Sequence, residues 1–150
     1  MTRSPLTRPA PPARVVAVRP APDSPWAVFS VEGGGGGYRR TPCPTCPWRR
    51  DAPLGAFPPE VYRHSAHTAH DAADRMFGCH SSTPRRPSTC AGFILRSPHN
   101  LMLRLAVIRG RIDPSKVSSP VPLYTDYVEM AVRNGVPADD PALALCRRAD

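Results

Sequence analysis

The chain has 150 residues, of which 20 are Lys or Arg, 12 are Asp or Glu, 21 are Pro and five are Cys. This length allows one ordinary domain and excludes a large multidomain enzyme. The formal net charge of +8 favours an anionic partner. The high proline content confines much of the chain to turns and linkers, so less of it can build a core.

The apolar runs of the sequence are short. The first 25 residues lack the apolar run that a secretory signal needs. The longest runs, Ala91 to Leu95 and Leu105 to Ile108, fall far short of the ~20 residues that span a bilayer. We therefore expect a soluble cytoplasmic protein with no membrane partner. In a reducing cytosol, cysteines are metal ligands or free thiols rather than disulfides.

The first 37 residues are rich in proline and end in five consecutive glycines, Gly33 to Gly37. This composition is typical of a tail and flexible linker, so we predict that residues 1–37 are largely disordered and that the folded domain spans residues 38–150. Two apolar runs interrupt the tail, Val15 to Val18 and Trp26 to Val31. We expect the second run to form a strand that docks on the domain.

Helix caps and breakers predict four helices in the domain. The second helix carries Leu101, Leu105 and Ile108 on one face, so we expect it to be the core helix. The segments 41–57 and 77–89 are too rich in Pro, Ser and Cys for helix and are predicted to be irregular loops. The predicted fold is a small, mainly α single domain with irregular cysteine-bearing loops, stapled by a metal site. The predicted helices are Val61 to Met76, a stretch between Ser97 and Gly110, Leu123 to Asn134, and a short helix opening at Asp140.

Four of the five cysteines lie in or directly after these loops: Cys43 and Cys46, Cys79 beside His80, and Cys90. A Cys-x-x-Cys turn can direct two sulfurs to one ion while backbone N–H groups stabilise the thiolates, and two ligands from a distant loop complete a tetrahedron. His80 can replace Cys79, since adjacent residues rarely both reach one ion. A structural zinc site is worth roughly 10–16 kcal/mol of binding free energy, so we expect the metal to hold the fold together.

The spacing leaves open which metal the cysteines bind, and also the alternative that they bind none. Zinc is typical of Cys₄ or Cys₃His sites in small basic proteins. An iron–sulfur cluster is the alternative, because proline follows both Cys43 and Cys46 and four thiolates match such a cluster. A Cys-x-x-Cys with an inserted proline also resembles the glutaredoxin active site, although Pro47 follows the second cysteine directly and two further cysteines are left unexplained. We expect Cys146 to be a small core residue.

Three segments, Pro42 to Asp51, Met76 to His80 and Cys90 to Phe93, resemble in order the signatures of a small cysteine-rich family of actinobacteria and their phages. The resemblance covers most of residues 41–145. That family is a domain of unknown function, so the resemblance supplies no activity. It implies a single site composed of Cys43, Cys46, Trp48, Arg49, Cys79, His80 and Cys90.

Positive charge surrounds the cysteine loops, since residues 38–96 hold nine Arg against four acidic residues. Arginine forms bidentate hydrogen bonds with phosphate oxygens, and an exposed aromatic ring can stack on a base. The same arginines can instead neutralise a tetrathiolate site or solvate the surface. The candidate nucleic-acid contacts are Arg39, Arg40, Trp48, Arg49, Arg50, Arg85 and Arg86.

The sequence contains no Ser/His/Asp order, phosphate loop or paired-carboxylate motif that indicates an enzyme, and it identifies no small-molecule substrate. We therefore predict a small module that binds structural zinc and contacts nucleic acid, or a nucleic-acid-associated protein, through an Arg-rich face. The alternative is an iron–sulfur or thiol-based redox protein.

Overall fold

The computed structural model describes residues 11–150, which form short helices and short strands. Helix accounts for 27% of the residues and strand for 16%, so the prediction of a mainly α domain is wrong and the chain is a small mixed α/β domain. Pro98, Gly110 and Gly135 follow α2, α3 and α4 closely and limit their lengths. The strands are β1 (Arg14–Pro20), β2 (Ala27–Glu32), β3 (Gly37–Tyr38) and β4 (Ser88–Thr89); the α-helices are α1 (Pro59–Ser65), α2 (Ala91–Arg96), α3 (Leu101–Ile108) and α4 (Tyr127–Arg133); and 3-10 turns cover Ala66–Ala69, Pro114–Lys116 and Pro141–Leu143.

β1 and β2 form an antiparallel hairpin, with a bulge between Val15 and Ala17. Asp23, with φ of 59°, lies in the turn that joins them. The strand expected at Trp26 to Val31 is thus confirmed, and residues 14–20 and 27–32 form strands rather than being disordered as predicted. The apolar β-branched residues of both runs favour this pairing over a solvated tail. Residues 1–10 of the predicted tail lie outside the described residues.

The hairpin docks on the rest of the domain through one aromatic contact and two polar contacts. The rings of Trp26 and Phe57 meet edge to face, with their centroids 4.7 Å apart. Arg19 donates to the carbonyl of His64 at 3.3 Å. Arg75 pairs with Glu32 at 3.2 Å. The second sheet, in which β3 runs parallel to β4, joins the start of the domain to the segment that precedes α2.

The helices are shorter than the sequence predicted. The helix expected over Val61 to Met76 ends at Ser65 and continues only as a 3-10 turn. The third begins at Tyr127, where the side chain of Asp126 caps the helix by accepting from the N–H of Glu129. α2 was not predicted. None of the helices in residues 11–150 has the length and apolar character needed to cross a bilayer.

α3 presents to the core a different face from the predicted one. Leu101 and Ile108 are 40% and 78% exposed, whereas Leu103 and Ala106 are buried. The reason is Asn100, which caps the helix and is itself fully buried. Its amide donates to the carbonyls of Thr68 and Arg75 at 2.8 and 2.9 Å. The orientation of α3 therefore follows from a buried amide, because a helix that is apolar on two sides has no preferred face by periodicity alone.

Asp140 joins the 3-10 turn Pro141–Leu143 to α1. Its carboxylate accepts from Arg63 Nε at 2.8 Å and from the N–H of Ala142 at 2.9 Å. The bond from Arg63, followed by that from Ala142, lowers the pKa of Asp140 below its ordinary value of 3.8. A carboxyl whose folded-state pKa is lowered stabilises the fold above its unfolded pKa, and this contribution is lost as the pH falls through the folded pKa.

We therefore expect Asp140→Asn to lower the melting temperature at pH 6 and to have progressively less effect as the pH falls below 3.8. Thermal unfolding between pH 2 and 6 measures this. Asp139→Asn, a substitution of the exposed neighbour, serves as the control with little effect at any pH. A loss of stability by Asp140→Asn that is the same at pH 2 and pH 6 contradicts the assignment.

Candidate thiol site

The structure places the side chains of four cysteines in one buried region. It lies between the turn at Cys43 to Cys46, called the cysteine turn below, β4 and the start of α2. The sulfurs of Cys46 and Cys90 are 3.6 Å apart. Cys43 Sγ lies 3.3 Å from His80 Nε2 and also interacts with the thiol of Cys79. All four cysteines are buried, with 1–6% of their surface exposed. The described cysteines carry free thiols. They form two groups: Cys46 with Cys90, and Cys43 with Cys79 and His80.

Backbone hydrogen bonds and one close approach hold the cysteine segments together. Cys46 closes a turn by donating its N–H to the carbonyl of Cys43 at 3.0 Å, and the N–H of Cys90 donates to the carbonyl of Phe77 at 3.0 Å. A Cβ on Gly92 would lie 2.6 Å from Cβ of Trp48, so only glycine lets α2 come this close to the residue two positions after Cys46. Trp48 thus positions Cys90 relative to Cys46.

Backbone N–H groups face three of the four sulfurs. The N–H of Trp48 points at Cys46, that of Ser81 at Cys79, and that of Phe93 at Cys90. In each case the donor lies two or three residues after the cysteine. Such bonds favour the charged thiolate over the neutral thiol. Other interactions outweigh this effect at Cys79 and Cys90, so the N–H groups accompany a lowered pKa only at Cys46.

The two members of the closer pair differ in acidity. The hydrogen bond from Cys90, together with the N–H of Trp48 and the charge of Arg49, lowers the pKa of Cys46. The same bond to Cys46 and complete burial raise the pKa of Cys90 well above its ordinary value. Burial likewise raises the pKa of Cys79. Cys46 is thus the first of these three thiols to ionise, and Cys90 hydrogen-bonds to its thiolate.

His80 lies at the edge of the cluster. Its Nε2 is 2.9 Å from the hydroxyl of Thr45 and 3.3 Å from Cys43 Sγ, and its ring meets that of Phe57 edge to face at 5.0 Å. Partial burial lowers the pKa of His80, so the ring is neutral at physiological pH and its nitrogen can act as a ligand.

The prediction that a metal site holds this fold together is wrong. Within residues 11–150, no group of three or more His, Cys, Asp or Glu side chains is arranged to hold a metal ion. The thiols are instead arranged as separate pairs. The packing of Trp48 on Gly92 and the backbone bonds between segments supply the connection that the sequence analysis assigned to a metal.

Two of the predicted nucleic-acid contacts, Trp48 and Arg49, instead interact with other residues of the protein. Trp48 is fully buried between Phe77 and Tyr127, so its ring has no face on which a base can stack. Arg49 forms a two-point ion pair with Asp51, at 2.7 and 2.8 Å. The remaining members of the set lie elsewhere. Arg50 pairs with Glu129, Arg39 donates to the carbonyl of Thr41, Arg40 lies over the ring of Tyr38, and Arg85 and Arg86 are exposed.

A second basic feature was missed by the sequence analysis. Residues 75–112 contain seven arginines and no acidic residue. In the part of the chain that the structure describes, only Arg75 of these forms an ion pair. The run lies between Asp74 and Asp113 and crosses the boundaries of the predicted helices, so a count of charges for each predicted element divides it. The other six are Arg85, Arg86, Arg96, Arg104, Arg109 and Arg111.

The comparisons with known proteins agree with the resemblance of the cysteine segments. No curated protein and no solved structure matches the chain significantly. A family described as one of unknown function matches residues 38–147. The match includes every cysteine and excludes the hairpin. The chain therefore belongs to DUF6283, a family of unknown function.

Proposed function

We propose that the protein binds one zinc ion at the thiol cluster, with Cys46 and Cys90 as the first pair of ligands. The observation that carries this proposal is their sulfur separation of 3.6 Å. Two sulfurs bound to one tetrahedral zinc at ~2.3 Å each are about 3.8 Å apart, whereas a disulfide requires about 2.05 Å. The pair therefore has the spacing of two ligands of one ion.

The surroundings of the thiols support this proposal. Zinc ligands must be deprotonated, and Cys46 has a lowered pKa. Backbone N–H groups that favour thiolate also face Cys79 and Cys90, although the pKa of both thiols is raised, so zinc has to displace their protons. Cys43, with either Cys79 or His80, supplies the second pair of ligands. Because the two pairs do not yet surround a common point, zinc binding has to draw them closer. We expect a local change in the cysteine loops on loading, in a domain that is already folded.

Metal analysis of anaerobically purified protein tests the proposal. We expect about one zinc per chain, and thiolate-to-cobalt absorption when Co²⁺ replaces it. Cys46→Ser should lower the zinc content severalfold or more. Cys146→Ser is the matched control, because Cys146 lies apart from the cluster and donates to the carbonyl of Ala66 at 3.3 Å. It should leave the zinc content unchanged.

Three results contradict zinc binding and indicate what replaces it. A brown protein that contains iron and acid-labile sulfide indicates an iron–sulfur cluster. A folded protein that takes up no metal but forms a Cys46–Cys90 disulfide on mild oxidation indicates a thiol-based redox function. A folded protein that does neither excludes both functions.

A second candidate function, nucleic-acid contact, is favoured by the acid-free run of residues 75–112. Six of its seven arginines make no ion pair with another described residue, and their side chains are free to bind phosphate oxygens. Arg85 and Arg86 are both exposed in the loop between Cys79 and β4. The proposed surface therefore depends on this run rather than on Trp48.

If this surface binds nucleic acid, its affinity for an RNA or DNA oligonucleotide should fall about 10³-fold between 50 and 200 mM salt, as expected for six phosphate contacts. Replacing both Arg85 and Arg86 by Ser should reduce the slope of log K against log salt by about two. Arg147→Ser is the control, since Arg147 is paired with Asp71. Fluorescence anisotropy measures these affinities. Binding that is absent at 50 mM salt or insensitive to salt contradicts the proposal.

We further propose a cytoplasmic protein of actinobacterial or phage origin. The free thiols of all five cysteines favour a reducing compartment, and the order of the cysteine segments favours that origin.

A further inference from the structure

A cavity of about 220 Å³ lies beside the thiol cluster, between the hairpin, the cysteine turn and α1. Four aromatic rings line it, those of Trp26, Phe57, Tyr62 and Tyr124. Thr45 and His80 lie on the side nearest the thiols. None of the clustered cysteines lines the cavity, which makes it a separate feature from the proposed zinc site.

The volume of the cavity sets the size of its occupant. An apolar cavity of about 150 Å³ in another protein stays dry and accepts benzene. The cavity here is about half as large again, which suits a bicyclic aromatic molecule of about the size of indole. Rings that line a site favour an aromatic guest, because offset and edge-to-face contacts add to the burial of apolar surface.

The lining also sets the charge of the occupant. It contains no Asp, Glu, Lys or Arg. A charged molecule would therefore lose its hydration without gaining an ion pair. The polar side chains in the wall, which include Thr45 and His80, can satisfy one or two hydrogen bonds of a ligand. The chemistry favours an uncharged aromatic molecule with one polar group.

One wall of the cavity comes from the part of the chain outside the family match. Trp26 belongs to the hairpin, which precedes residues 38–147. The residue is 40% exposed, and its ring meets that of Phe57 edge to face with the centroids 4.7 Å apart. The remaining walls belong to the matched domain. The hairpin therefore converts a recess of the domain into a partly enclosed cavity.

We propose that this cavity, closed by Trp26, binds a small uncharged aromatic molecule of about the size of indole. The proposal goes beyond zinc binding and does not depend on it, because the two sites share only His80 at their common edge. The occupant contacts the four rings, and its polar group faces Thr45 and His80.

Isothermal titration of the full chain with indole tests this proposal. We expect saturable binding of one indole per chain. Indole-3-carboxylate, a charged molecule of similar shape, should bind at least about tenfold more weakly. Trp26→Ala should weaken indole binding about tenfold, because it removes one wall and its aromatic contact. Phe29→Ala is the matched control, since Phe29 is an exposed ring on the same hairpin that does not line the cavity.

Three outcomes overturn the proposal: no saturation up to the solubility limit of indole, equal affinity for the carboxylate, or unchanged affinity in Trp26→Ala. If circular dichroism shows that Trp26→Ala disturbs the fold, Trp26→Leu decides the question, because it keeps an apolar contact and removes the ring. Zinc content measured on the same samples separates this result from the fate of the zinc proposal.

Discussion

Replacing Gly92 by Ala is expected to destabilise the protein by about 3 kcal/mol, the upper end of the usual range for overpacking. The added Cβ would lie 2.6 Å from Cβ and 2.8 Å from Cγ of Trp48. Cβ is fixed to the backbone, so Trp48 cannot turn away from the contact. α2 and the segment that carries Trp48 must therefore separate. Urea unfolding followed by circular dichroism measures the loss.

If the proposed zinc site exists, the same substitution should weaken its affinity for zinc, because Cys46 and Cys90 lie on the two segments that Gly92 and Trp48 hold together. Gly78→Ala is the matched control. It introduces the same methyl group one residue before Cys79, where the nearest atom is the carbonyl oxygen of Ser88 at 3.9 Å. We expect its effect on stability to stay below about 1 kcal/mol. Equal losses for the two variants would exclude the close approach as the cause.

Replacing Asn100 by Ala is expected to cost about 4 kcal/mol. The amide is fully buried; it donates to the carbonyls of Thr68 and Arg75, and its oxygen accepts from the N–H of Leu103 at 2.9 Å. Truncation leaves these three backbone groups without their partner, at about 1–3 kcal/mol for each buried group. Urea unfolding measures this loss directly.

Asp113→Ala is the control for Asn100→Ala. Asp113 also accepts from a backbone N–H, that of Ser115 at 3.0 Å, but it is exposed. Because water can replace the lost bond, we expect a cost of about 1 kcal/mol or less. A similar cost for both variants would show that burial of the Asn100 network contributes little.

Local signals in the sequence were informative where one residue type decides the geometry. Gly110, predicted to stop a helix, follows α3 with a φ of 71°, a conformation that glycine adopts without strain. The apolar run that begins at Trp26 was expected to form a strand, and β2 confirms it. The Cys-x-x-Cys turn was expected to place backbone N–H groups near sulfur, and the N–H of Trp48 lies there.

The sequence misled where the structure of a segment depends on the segment that packs against it. The helix predicted from Val61 begins close by, at Pro59, but its end at Ser65 carries no breaker in the sequence. The pairing of β1 with β2 also turned residues that read as a tail into part of the fold. Proline and glycine content describes how a chain behaves alone, whereas pairing depends on a second strand.

The sequence by itself determined the segments that carry the cysteines, the family to which the chain belongs and the conformation at its glycine turns, because these depend on residue type and spacing. Only the tertiary structure decided that Trp48 is a core residue and not a nucleic-acid contact, that Leu101 and Ile108 face solvent, and that the thiols form pairs rather than a ready metal site. Each of these depends on which surfaces meet. Contacts such as Gly92 with Trp48 and Asn100 with Thr68 join residues more than 30 positions apart, and local periodicity carries no record of them.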